Sequence, residues 1–107
     1  MIKQNVTLPR PQQQGTVDLR DAFFGELIRT AEGDSQVLVI ADDQGAFALE
    51  DFKARFPTRY FNPGIAEQNI VAIAAGLAIE GWRPVIYGIS SFVTLRCLDQ
   101  IRNDICL

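Results

Sequence analysis

Glu67 stands just beyond the turn-forming pair Pro63-Gly64, where a short aromatic run, Tyr60-Phe61, gives way to a long apolar segment that begins at Ile65. A carboxylate in the first turn of a helix is favoured by the helix dipole and accepts free backbone N–H groups, worth about 0.3–1 kcal/mol when exposed. The residue pattern alone therefore leaves two roles open for Glu67, a helix cap or a chemical group. Asp42 and Asp43 follow the apolar run 36–41, at the strand edge where ligands gather in open α/β sheets. Arg20, flanked by Asp18 and Asp21, falls in the opening turn of a helix, where a cation opposes the dipole and an anion-binding role competes with plain solvation. Histidine is absent from the sequence, which removes the commonest general acid/base and the commonest metal ligand. Proton transfer must then fall to a carboxylate, a cofactor or another chain.

Composition narrows the classes further. The 107 residues are enough for one domain with a core of modest size. A hydrophobic share of 48% and a charged share of 21% are ordinary for a packed globular fold. The net charge of -3, with both signs interspersed, offers no basic stripe for a nucleic acid to follow. Met1 to Thr16 contain no apolar stretch after a basic start, so neither a secretory signal nor a membrane anchor is read there, and a cytoplasmic location is expected. Cys97 and Cys106 lack the paired spacing of a zinc or redox motif and are expected to be reduced, buried thiols.

The elements that must position these groups are legible in the periodicity. Residues 1–15, with Pro9, Pro11 and a glutamine run, read as an extended tail ahead of a domain spanning 16–107. Leu19, Phe23 and Leu27, with Phe24, Ile28 and Ala31 on the adjoining stripe, predict a helix from Thr16 or Asp18 to about Gly33. The run 36–41 has no alternation and is expected to be a parallel strand buried on both faces. A shorter helix over 49–56, stopped by Pro57, and a short strand over 59–61 follow. The segment 65–80 predicts a helix apolar almost all round, and its Ala72, Ala74, Ala75, Gly76 and Ala78 would admit close neighbours. Residues 84–87 predict a third strand, and Ser90 or Ser91 can cap a helix that starts near Phe92 and carries Leu95, Leu98, Ile101 and Ile105 to the last residue. This alternation builds a parallel sheet with covering helices. The expected fold is α/β, a partial doubly wound parallel sheet, since no strand follows the last helix.

Gly64-Ile-Ala-Glu-Gln-Asn69, continuing into Ala74-Ala-Gly-Leu-Ala78, resembles the glutamate motif of the pyrimidine-binding domain of the transketolase family. Asp18 to Phe23 resembles that domain's opening helix, Val37 to Asp42 its first strand and aspartate turn, Phe52 to Phe61 its FxxRFPxRxxN approach, and Asp99 to Asp104 the helix after its third strand. The likeness covers about Thr16 to Leu107 and is similar to the second subunit of split transketolases.

The resemblance implies a part of a thiamine-diphosphate-dependent enzyme that moves a two-carbon ketol unit between sugar phosphates. By this resemblance Glu67 matches the glutamate that hydrogen-bonds a ring nitrogen of the cofactor's aminopyrimidine, and Phe92 matches an aromatic platform on which that ring stacks. Gly64, Ile65 and Asp42 are expected to line the cofactor, and Arg20 to contact the sugar phosphate. Three departures stand out: Ile89 where another aromatic is common, Leu95 and Leu98 where tyrosine is common, and Gln44, Gly45 and Ala46 in place of serines. The family's diphosphate and magnesium site has no counterpart here, so a diphosphate-binding domain or subunit is an expected partner within a homo- or hetero-oligomer. The Gln-Asn after Glu67 and the Arg-Asn-Asp near the end lean towards transketolase. A 1-deoxyxylulose-5-phosphate synthase, a 2-oxo acid dehydrogenase β subunit and a catalytically silent assembly module are the alternatives.

Overall fold

A computed structural model describes residues 18–107. The extended tail expected over 1–15, and the domain start placed at residue 16, lie outside the described residues. Helix α1 spans Leu19–Gly33, strand β1 Val37–Ala41, helix α2 Phe47–Arg55, strand β2 Tyr60–Phe61, helix α3 Glu67–Ile79 and strand β3 Arg83–Tyr87. Short helical pieces follow: α4 over Ser90–Val93, a 3-10 turn over Leu95–Cys97, α5 over Leu98–Gln100 and a π-turn over Ile101–Ile105.

The three strands form one parallel sheet in the order β2-β1-β3. Val39 faces Tyr60 on one side and Val85 on the other, so β1 is central. All five of its residues are buried, as its unbroken apolar run requires. Alternation sends them to opposite faces. Val37, Val39 and Ala41 pack with Phe24, Leu27, Ile28, Ala31, Leu49 and Phe52 of α1 and α2. Leu38 and Ile40 pack with Ile70 and Ala74 of α3. Each fully buried Leu, Ile, Val or Phe contributes about 1.5–3 kcal/mol relative to exposure, which makes these two layers the main term holding the elements in place.

Local chemistry starts and stops the elements. Asp18 is the N-cap of α1, its Oδ1 accepting the Arg20 backbone N–H at 2.8 Å. No side chain of α2's own N-cap, Ala46, can cap that helix. The Asp21 carboxylate does so across the fold, accepting the Ala48 N–H at 3.0 Å. Arg59 gathers the chain after α1, donating from Nη1 to the carbonyls of Ala31 at 2.9 Å and Asp34 at 3.0 Å while its guanidinium lies 3.8 Å from the Phe56 ring centre. Gly64 takes φ +84, a left-handed turn open to glycine at little cost.

The C-terminal stretch departs from the single helix expected from Phe92 onward. Ile89 is the N-cap of α4 and makes no side-chain cap, so neither Ser90 nor Ser91 does that work. The helix ends after one turn at Thr94, whose backbone N–H and hydroxyl both donate to the Ser90 carbonyl, at 3.1 Å and 2.5 Å, and whose backbone takes φ -114, ψ -78. The interruption rotates Leu95 and Leu98 into solvent. Cys97 is buried as expected, whereas Cys106 is exposed, which corrects the expectation of two buried thiols. The expected strand at 84–87 starts one residue earlier, and α2 begins at Phe47 rather than Leu49.

Candidate functional site

Glu67 is the first residue of α3 and is only 4% exposed. Its N-cap, Ala66, has no capping side chain, so the helix's free N–H groups and dipole favour the carboxylate placed over them. The turn ahead of it is built by Asn62, whose Oδ1 accepts the Gly64 N–H at 2.8 Å and whose Nδ2 donates to Asp43 Oδ1 at 3.3 Å. Asp43 itself adopts φ 65, a left-handed position that a short polar side chain tolerates. The ends of β1 and β2 are thereby tied together immediately in front of α3.

Opposite the start of α3 lies the interrupted stretch after β3. Arg96 Nη1 donates to Glu67 Oε1 at 3.2 Å. The same guanidinium lies 4.0 Å from the centre of the Phe92 ring. The Arg96 carbonyl in turn accepts the Gln68 side-chain N–H at 3.3 Å. A shallow cleft of about 430 Å³ is lined here by Ile65, Ala66, Glu67, Gln68, Asn69 and Arg96. Glu67 and Phe92, chosen separately from sequence, are thus joined by one arginine that sequence reasoning did not single out.

Asp42 lies just past β1 and is 2% exposed. Its backbone N–H donates to the Tyr87 carbonyl at 3.2 Å, extending the β1–β3 ladder. The carboxyl group is pressed under the turn after β3: a Cβ at Gly88 would lie 2.3 Å from Asp42 Oδ2 and 2.6 Å from Val93 Cγ1, so a glycine is required there for close approach. Asp42 Oδ1 has no hydrogen-bond partner. Burial pushes the Asp42 carboxyl up from the usual range; the backbone N–H groups of Ile89 and of Asp42 itself oppose that, and the negative charges of Glu67 and Asp43 add to it. The Cys97 thiol is likewise pushed up, by burial first and by Glu67 second, and its Sγ donates to the Phe92 carbonyl at 3.1 Å.

The remaining sequence candidates divide. Ile65 lines the cleft and is 76% exposed. Gly64 shapes the turn and is absent from the cleft lining. Arg20 is exposed and pairs with Asp18, Nη2 to Oδ2, at 2.7 Å. Asp18 first and the Tyr87 hydroxyl next push its guanidinium further up, while Arg20 holds Asp18 down at about 2. It does not line the cleft beside Glu67. A larger groove of about 480 Å³ runs beside β3, lined by Ala78, Ile79, Pro84, Ile86 and Ile105 among others. Asp104 is its one ionisable side chain, so it is a packing surface rather than a reaction site. Among the described residues no three His, Cys, Asp or Glu side chains come together as a metal site, and no helix is long and apolar enough to cross a membrane.

The model of one protein family, the transketolase pyrimidine binding domain, matches residues 15–107. The chain belongs to that family. A 1-deoxy-D-xylulose-5-phosphate synthase of Desulforudis audaxviator (strain MP104C) is 45% identical over 92 residues, which cover 85% of this chain and 14% of that protein. The 1-deoxy-D-xylulose-5-phosphate synthase 1 of Geobacter metallireducens is 46% identical over 86 residues, 78% of this chain and 14% of its own length. A solved split-gene transketolase, described as an inactive beta4 tetramer, superposes with a TM-score of 0.75 at 35% identity, over 85% of this chain and 31% of that one. As a transketolase pyrimidine-binding domain, the chain spans about one seventh of the length of these curated relatives. Its three parallel strands and covering helices are the partial α/β sheet that the sequence led us to expect.

Proposed function

We propose that this pyrimidine-binding domain is part of a thiamine-diphosphate-dependent, transketolase-type enzyme that transfers a two-carbon ketol unit between sugar phosphates. One observation carries the reading: a carboxyl group 4% exposed at the start of an apolar helix, lining a cleft and linked through the Arg96 guanidinium to the ring of Phe92. The donor set suits an aminopyrimidine. Glu67 supplies a carboxyl oxygen for a ring nitrogen, Phe92 a face to lie against, and Ile65 an apolar wall.

When bound, the cofactor supplies the carbon nucleophile and the electron sink that the side chains lack. This chain's part is to bind and orient the ring and to hold a proton at its nitrogen through Glu67, while the α3 helix and the Phe92 loop keep water from that contact. Gly64 sets the direction in which the chain enters α3, and so where the Glu67 oxygens lie. Asp42 sits beneath the site; we assign it to the support of the cofactor seat, because its side chain is covered by the turn at Gly88. Arg20 is the group we assign to the substrate phosphate. The diphosphate and its magnesium ion are held by another domain or subunit, in a cytoplasmic homo- or hetero-oligomer.

The test is ketol transfer by the complete assembly carrying Glu67→Gln. Loss of a group that positions a proton lowers turnover by about 10²- to 10⁴-fold; full activity would show that the reading is wrong. A second reading, synthesis of 1-deoxyxylulose 5-phosphate, is favoured by the 45% identity to such a synthase, so both products are assayed in the same mixture. Assembly without any thiamine-dependent turnover would instead assign the chain a silent, architectural part.

A further inference from the structure

Arg96 makes the two contacts that the reading above asks of the cofactor ring. Its guanidinium is flat and delocalised, donates an N–H to Glu67 Oε1 at 3.2 Å, and lies with its carbon 4.0 Å from the Phe92 ring centre. An aminopyrimidine would likewise place a plane against Phe92 and a nitrogen against a Glu67 oxygen. Planar guanidinium groups stack on aromatic faces and bind carboxylates, so they compete well for a seat shaped for a flat, hydrogen-bonding ring.

We propose that Arg96 is an internal stand-in for the cofactor's aminopyrimidine, filling its seat between Glu67 and Phe92 until the cofactor displaces it. The inference rests on the thiamine diphosphate reading and deepens it by naming the residue that sets affinity at that seat. Displacement is feasible because the Arg96 side chain is 48% exposed whereas that of Glu67 is 5% exposed. The guanidinium can swing into water while the carboxylate stays where α3 puts it. The Gln68 contact goes to the Arg96 backbone carbonyl, not to its side chain, so the loop remains tethered when the guanidinium leaves.

Vacating the seat costs the cofactor a part-buried ion pair and a cation–π contact. Arg96→Ala and Arg96→Gln in the complete assembly are each expected to bind thiamine diphosphate about fivefold more tightly than the unmodified assembly. Calorimetric titration reads this directly, without turnover. A residue that merely supports the fold would weaken binding on removal, so tightening is the diagnostic sign. If the unmodified assembly binds the cofactor and both variants bind it equally or more weakly, the stand-in role is overturned and the cofactor reading survives. If the unmodified assembly takes up no thiamine diphosphate, both fall together.

Discussion

Two carboxyl groups are withdrawn from water among the described residues, and only Glu67 has a cation beside it. Asp42 has one unpartnered oxygen and is surrounded by the negative charges of Glu67 and Asp43. A carboxyl whose folded-state value is raised binds its proton more readily in the folded chain, so the folded state gains from acid and loses stability as pH rises from 3.8 through the raised value. Asp42→Asn is expected to flatten that part of the pH–stability curve, and denaturant midpoints measured across the window test it. An unchanged slope would mean that the buried oxygens are better compensated than the geometry indicates. Glu67 and Asp42 could be singled out from sequence because a carboxylate after a proline-glycine turn, or after an apolar strand, is conspicuous. Arg96 could not, since its meaning comes from two residues that approach it only when α3 and the loop after β3 face each other.

At the scale of elements, the joints decide more than the helices. Arg59 donates to three carbonyls, those of Ala31 and Asp34 near the end of α1 and, at 3.4 Å, that of Val37, and stacks on Phe56, so one side chain binds α1, the 3-10 turn over Pro57–Arg59 and the start of β1. Arg59→Ala leaves those acceptors without their charged donor and should cost about 2 kcal/mol, read as a shift in the denaturant midpoint without change of slope. Helices α1 and α3 and strands β1 and β3 were legible because their apolar periods are long. The segment 90–107 was not. Its apolar spacing is helical, but the backbone turns aside at Thr94, φ -114 and ψ -78, and continues only as short helical pieces, a local change that periodicity does not show.

Across the whole molecule, stability is concentrated in one strand. β1 is hydrogen-bonded on both sides and buried on both faces, whereas β2 and β3 are the outer strands of the described sheet. Hydrogen exchange is therefore expected to be slowest at Val37–Ala41 and faster in β3; equal rates would mean that β3 has a further neighbour in solution. The small-residue helix α3 gives one face to this sheet and leaves Ala72, Gly76, Ala78 and Ile79 exposed, consistent with a domain that spans a small share of its relatives. The order of pairing has a further consequence during synthesis. Each partner of β1 is encoded downstream of it, at Tyr60-Phe61 and again at Arg83–Tyr87. Within the described sheet, the emerging polypeptide must hold its most apolar strand without a mate until Phe61 has left the ribosome and with one bare edge until Tyr87 follows, an interval in which a chaperone has a binding target that the finished fold conceals.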